Sequence, residues 1–584
     1  MEKNVEWLDV PNGRIGVDGA SGAITAMHLT ESDIEFVSQP DARGLLRLAA
    51  PLPRYGAHYV ETGVHGRPEL ERQGDGPRLR YADVATAEGR IPVSVEIDLI
   101  PTADGLLLRA RVHNGWTDVI PQIVFPQLFG LGTVGASDDT RLQLGRGRLY
   151  PFQELTLHPD SARYLDLGLY RYYGYGYSAF NMKWLDYGSP AGGFSLFARD
   201  TRYNLQGLLV DRPDRVAEQV DLRWMHYPFI EPGETWESPE YVLLLHPGDW
   251  YAGARAYQQY AADAYPYRAP RRLREALGFR SIWLSYWNAP PMYRFADLAE
   301  LAAEIEGLDL AEMCVWGWQT QFGYPMEVDT RLGTAEELSD GIRRSRALGV
   351  PISLFATHHL VADNSKTDPA WLHRNAAGQR GLSNWTYNRD FLPRFGPLFS
   401  ATHSSVMASA LSPGWRATGL ENYRRLLDLG ATSICFDQFF TWNEPNFSPE
   451  RDGRPDAEGE KLLEFGARAG PDPCRPSRRR LFGRRGRGCV GPRAGLHVGV
   501  VLRARLGGFG SLPLRLSALP LERLHQRASP RRAPGLCRRW APERNARRHG
   551  AAATRLPGAG VDPAEALASS PSAAALFHGG SVSF

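Results

Sequence analysis

The sequence predicts a multidomain chain. An N-terminal antiparallel β-sandwich is expected over residues 1–247 and a linker helix over 248–275. An incomplete (β/α)8 (TIM) barrel, its first half only, is expected over 276–465, and an Arg-rich, disordered tail over 466–584. Three observations lead there. The length of 584 residues exceeds what one hydrophobic core supports, so two or three domains are expected. The apolar pattern changes near residue 278 from alternation to a strand–helix rhythm. Near residue 466 the composition breaks.

The sandwich rests on runs such as "VSVEIDLI" (93–100), with Val93, Val95, Ile97 and Leu99 on one face and Ser94, Glu96 and Asp98 on the other. The turn signal "PTADG" and a second run, "LRARVHN", complete a hairpin. Many such short runs, punctuated by Gly and Pro, give an antiparallel sandwich. The aromatic segment "LYRYYGYGYSAFNMKW" (169–184) interrupts the pattern and is expected to be a loop.

In "PGDWYAGARAYQQYAADAYP" (247–266) the period becomes helical. Trp250, Ala254, Tyr257 and Ala261 share a face, with Asp249 as N-cap and Pro266 as stop. Beyond it, "SIWLSYW" (281–287), "MCVWGW" (313–318), "PISLFAT" (351–357) and "SICFD" (433–437) read as strands. They alternate with helices at 295–308, 334–349 and 419–430. The second helix opens on a capping box, Thr334 with Glu337. Strands buried on both faces and alternating with helices imply a parallel sheet. No Gly-rich phosphate turn follows the first strand, which favours a barrel over a doubly wound sheet.

In such barrels function sits after the C-terminal ends of the strands. Here those ends carry Trp287; then Trp316, Trp318, Gln319 and Tyr324; then His358 and His359; and finally Asp437 and Gln438. Aromatic walls with amides, imidazoles and a carboxylate suit a polyhydroxylated ligand. Each has a plainer role available: the tryptophans can pack on neighbouring loops, and the histidines can make structural hydrogen bonds. No third ligand accompanies the two histidines at a metal-binding spacing, so neither metal nor cofactor is expected. The 15 Trp and 24 Tyr fit a sugar site or large β-rich cores equally. Asp437 is the catalytic candidate, a carboxylate fixed at the end of a rigid strand.

This organisation resembles the retaining glycoside hydrolases of the α-galactosidase superfamily. It looks especially like the barrel proteins grouped as domain of unknown function family 6259. The matching pieces are "WGWQTQFGYP", "GVPISLFAT" and "LLDLGATSICFDQ", and, in the sandwich, "LLLRARVHNGWTDVIPQIVFP". The resemblance covers residues 1–465. It implies glycoside hydrolysis with Asp437 in the nucleophile's place and an acid/base carboxylate on a later strand, which no residue here matches. A retaining glycosidase needs both carboxylates, about 5–5.5 Å apart.

Where strands 5 to 8 are expected, the chain reads "GPDPCRPSRRRLFGRRGRGCVGPRAG". Residues 1–465 carry a net charge of −15, whereas residues 466–584 hold 22 Arg, no Lys and five acids. An arm binding nucleic acid and a small extra domain are two readings of this tail. A GC-rich gene read out of frame is the third and preferred one, since it yields Arg, Ala, Gly and Pro and loses acids. No nucleic-acid partner is therefore expected, and the chain as written is expected to be inactive. The intact parent is expected to act on a carbohydrate; the alternative is a non-catalytic carbohydrate-binding protein.

Cys314 and Cys435 lie in apolar runs and are expected to be buried free thiols, and none of the five cysteines forms a C-x-x-C pair. The N-terminus shows no apolar signal segment, and no run approaches a membrane span. A cytoplasmic location is expected.

Overall fold

A computed structural model describes residues 5–50, 58–73, 76–86, 88–137, 139–145, 148–151, 169–174, 182–212, 219–265, 271, 275–285, 290–321, 323–362, 365–380, 405–437 and 445–469. Trp287, Gln438 and the Arg-rich tail from residue 470 onward lie outside these residues.

Alternation dictates the first half of the fold. The hairpin Val93–Thr102/Gly105–Asn114 pairs Val93 with Asn114 and closes on Thr102 and Gly105. Gly105 has φ +127°, a conformation side-chain-bearing residues rarely adopt. Val93, Val95, Ile97 and Leu99 are wholly buried. This hairpin sits within a ten-stranded antiparallel sheet, and a second antiparallel sheet has six strands. Residues of both, Val95 and Ile97 from one and Leu208, Leu222 and Trp224 from the other, join a single core. A four-stranded N-terminal sheet, from Val5 to Glu35, adds Ile15, Val17 and Met27 to it.

The aromatic segment expected as a loop is in part a strand. Leu169–Gly174 pairs with Gln206–Arg212 at the edge of the six-stranded sheet. Tyrosines suit a pleated surface, so aromatic content favours the ladder here despite the irregular pattern.

The helix Tyr251–Ala264 follows, with Gly253, Tyr257 and Ala261 buried. Trp250 occupies the N-cap position, and the Asp249 carboxylate accepts from the Tyr251 amide at 3.0 Å. Gly253 lets the helix close over a buried trio. The Ser195 hydroxyl donates to Asp186, which also bonds His246 Nε2 at 2.7 Å. Burial works against charge on His246, but the Asp186 hydrogen bond and charge raise its pKa. A Cβ at position 253 would overlap the Ser195 hydroxyl and stand 2.5 Å from Asp186 Oδ2. Gly253→Ala is expected to lower stability by about 1–3 kcal/mol, as overpacking does, despite alanine's better helix propensity. Thermal unfolding of the two chains checks this.

The second half holds a parallel sheet of four strands: Gly278–Trp283, Leu310–Trp316, Ile352–Thr357 and Ser433–Asp437. The first strand starts three residues before the expected run and ends at Trp283. The helix expected over 295–308 is a 3-10 turn followed by a short helix, Leu298–Ala303. Glu304 caps its C-terminal end and Glu306 follows, where negative charge opposes the helix dipole. The capping box forms as expected: Thr334 accepts from the Glu337 amide, and the Glu337 carboxylate accepts from Thr334. Leu338, Ile342 and Ser345 face inward from that helix.

Alternation along each parallel strand gives the sheet two different faces. Ile282, Met313, Val315, Ile352, Leu354, Ile434 and Phe436 pack with the helices. Trp283, Cys314, Trp316, Phe355 and Cys435 form a separate cluster. Cys314 and Cys435 are buried and are not joined in a disulfide. Among the described residues no helix is long and apolar enough to cross a membrane.

Candidate functional site

The C-terminal ends of the parallel strands bring the candidate residues into two groups. The first is centred on Phe355. Trp316 stacks on Phe355 at 3.8 Å between ring centroids and on Trp283 at 4.8 Å, both nearly parallel. Trp318 donates its indole N–H to the Phe355 carbonyl at 2.9 Å. Trp316 retains 7% exposure and Trp318 none.

Full burial is the physical reason the structure departs from an open aromatic wall at this point. Trp318 belongs to the core on the helix-facing side of the sheet, with no ring face accessible. Gln319, next along, is also fully buried, and its main chain bridges to Val328. Neither its side-chain oxygen nor its nitrogen has a hydrogen-bond partner. A buried amide left unpaired costs about 1–3 kcal/mol.

The second group is centred on Trp415, in the first turn of the helix Pro413–Asp428. Tyr324 meets Trp415 edge-on at 5.5 Å and Trp371 at 5.6 Å, and the two tryptophans lie 5.7 Å apart. Trp415 also borders His358 at 5.9 Å. His358 Nδ1 hydrogen-bonds the Tyr423 hydroxyl at 2.9 Å, and His359 Nδ1 lies 3.4 Å from the Ala408 carbonyl. Burial, with a smaller contribution from neighbouring His359, pushes the His358 pKa well below its ordinary value. His358 is therefore neutral at physiological pH, and both imidazoles tie the third strand's end to neighbouring segments. Among the described residues no three His, Cys, Asp or Glu side chains gather as a metal-binding group.

Asp437 ends the fourth strand and pairs in register with Thr357 of the third. Glu327, in the loop after the second strand, is exposed and bonded to Lys366 at 2.8 Å.

Sequence reasoning passed over the most perturbed carboxyl of this region, Glu458. It opens the helix Glu458–Ala469 and is buried. Its two oxygens accept from the Ser409 hydroxyl and the Ala410 amide, each at 2.5 Å. Ser409 Oγ in turn accepts from Asn446 Nδ2 at 2.8 Å and the Leu411 amide at 3.0 Å. Desolvation lifts the carboxyl's pKa to about 7, against the pull of those donors and of Arg416. Nearby Asp456 is lifted to about 6, again by burial, despite its ion pair with Arg454. In sequence Glu458 is one acid among several at a helix start, with nothing to mark it. Trp415 had a signal, since the "SPGW" start places it in the first turn of a helix with Ser412 as N-cap.

No protein-family model matches the sequence, and no curated protein does. Solved structures do match. The α-N-acetylgalactosaminidase NagBb from Bifidobacterium bifidum, in its GalNAc complex, is 14% identical with a TM-score of 0.58. That match covers 79% of this chain and 75% of that one. Its ligand-free form gives 12% identity and a TM-score of 0.57, covering 79% and 76%. A GH36 α-galactosidase, AgaA from Geobacillus stearothermophilus, in complex with raffinose, matches at 12% identity and a TM-score of 0.43, covering 80% and 70%. At such identities the likeness to NagBb is one of fold. This chain has a β-rich, multidomain, glycoside-hydrolase-like fold.

Proposed function

We propose that this chain is a glycoside-hydrolase-like protein whose intact parent cleaves a glycosidic bond with retention of configuration, Asp437 acting as nucleophile. One observation carries the reading: Asp437 terminates a parallel strand in register with Thr357, at the strand end that also holds Trp316 and His358. Asp437 lies two residues after Cys435 and one after Phe436, which packs with the helices.

The four parallel strands are read as the first half of a (β/α)8 barrel over 276–465, preceded by the sandwich (1–247) and the linker helix (248–275). Sugar contacts are assigned to Trp287, Trp316, Tyr324 and Gln438. Gln319, fully buried like Trp318, is not among them. Trp318, His358 and His359 hold the strand ends in place. The tail 466–584 is read as out of frame, so that the acid/base carboxylate is missing and this chain is inactive.

The names of the structural neighbours direct the first assays to p-nitrophenyl α-galactoside and α-N-acetylgalactosaminide. Restoring the reading frame at codon 466 is expected to raise hydrolysis by about 10²–10⁴-fold, the usual worth of leaving-group protonation. Equal activity in the original chain would refute the out-of-frame reading. A restored chain that binds sugars but hydrolyses none would be a carbohydrate-binding protein.

A further inference from the structure

The N-terminal sheet borders a cleft of ≈ 290 Å³ remote in sequence from the strand ends described above. Glu6, Trp7 and Asp9 line one side, and Arg72, Pro77 and Pro101 the other. The volume is close to the lower end of ligand-sized clefts.

The chemistry of the walls follows from the hairpin that forms one of them. Val5–Val10 pairs with Gly13–Asp18 through a two-residue turn closed by Val10 and Gly13, and it is the edge strand of its sheet. The closing pair of such a turn exchanges hydrogen bonds, and the exchange recurs at every second residue. The amides and carbonyls of Trp7 and Asp9 therefore point out from the free edge of the strand. Arg72 spans toward the same strand, with a guanidinium nitrogen 3.2 Å from Glu6 Oε1. Trp7 keeps 44% of its surface exposed, and its ring is braced by the Arg14 guanidinium 4.4 Å from its centroid.

We infer that this cleft is a saccharide-binding site for a neutral oligosaccharide. Fixed backbone donors and acceptors, a carboxylate and a guanidinium match the alternating donor and acceptor character of vicinal hydroxyls. The exposed indole offers the apolar surface that a sugar's C–H face requires. Pairing with a peptide strand is disfavoured by the opposite wall, where Pro77 and Pro101 leave no amide hydrogens and the cleft is short. Charged ligands are disfavoured because Glu6 and Asp9 oppose anions and Arg72 opposes cations. The site is independent of the activity proposed for Asp437.

Affinity electrophoresis of the full chain through gels containing galactomannan or dextran tests the inference. Retardation is expected in at least one gel. Trp7→Ala and, separately, Arg72→Ala should each weaken the apparent affinity at least fivefold. Tyr59→Ala, an exposed aromatic (46%) under Arg47, should leave retardation unchanged. Both cleft substitutions fall on exposed side chains, and circular dichroism of each variant checks that its fold is kept. No retardation of the parent chain would overturn the inference, as would full retardation kept in Trp7→Ala. An equal loss in Tyr59→Ala would reduce the effect to general aromatic stickiness and overturn it as well.

Discussion

Asp437→Ala in the frame-restored chain is expected to reduce glycoside hydrolysis by about 10⁴-fold, the scale on which loss of one member of a nucleophilic constellation is felt. Without that carboxylate the anomeric carbon has no group to form the covalent intermediate, and the two-step route through an ester closes. Adding azide should restore turnover in the alanine variant, because a small anion can enter the space the carboxylate leaves. The azide adduct should carry the configuration opposite to the normal product, since one displacement replaces two. Nuclear magnetic resonance of the product measures this directly. An alanine variant within tenfold of the parent would remove Asp437 from the chemistry, and rescue without inversion would exclude a nucleophilic role.

The second large effect concerns Glu458. Its carboxyl has an ordinary value of 4.5 and is held at about 7 in the fold. A raised pKa means that stability is fully present below about 4.5 and is lost as pH climbs through 7, because ionising the buried carboxyl costs free energy that water would have supplied. The shift corresponds to about 3 kcal/mol at roughly 1.4 kcal/mol per unit. Glu458→Gln removes the titration. Its amide also presents N–H groups to Ser409 Oγ, which already accepts from Asn446 and Leu411. The variant is therefore expected to be weaker than the parent at pH 4.5, by about 1–3 kcal/mol. Between pH 4.5 and 7.5 the difference should move by about 3 kcal/mol in the variant's favour.

Comparing the two chains matters, because other groups titrate across the same window. His226, buried and bonded to the Tyr241 hydroxyl at 2.7 Å, has its pKa lowered to about 3 by desolvation. It works in the opposite direction, adding stability as pH rises toward its unfolded value. Amide hydrogen exchange of the segment 405–416 follows the local effect, since Glu458 caps the Ala410 amide there. A difference that does not change with pH would show that Glu458 does not titrate in this range.

Local rules were enough where a single periodicity governs a segment. The hairpin at 93–114, the capped helix after Thr334 and the strand ending at Asp437 are legible because each is set by residues within about twenty positions of one another. The Cys314 and Cys435 thiols were legible for the same reason, since uninterrupted apolar runs bury whatever they contain. The strand Leu169–Gly174 was not legible, because its pairing partner, Gln206–Arg212, supplies the reason for its shape and lies some forty residues away.

What residue type could not decide was which face each candidate shows. Trp316 and Trp318 lie two positions apart, yet one stacks between Trp283 and Phe355 while the other is sealed in the core against the Phe355 carbonyl. His358 and His359 read as polar groups at a strand end, and packing around Trp415, Tyr423 and Ala408 encloses both. Glu458 is the clearest case. By itself the sequence determined that an acid begins a helix there. Only the tertiary structure decided that Ser409 and Ala410, nearly fifty residues earlier, would desolvate that acid and hold both of its oxygens, because a carboxyl's pKa is set by the dielectric and the donors around it.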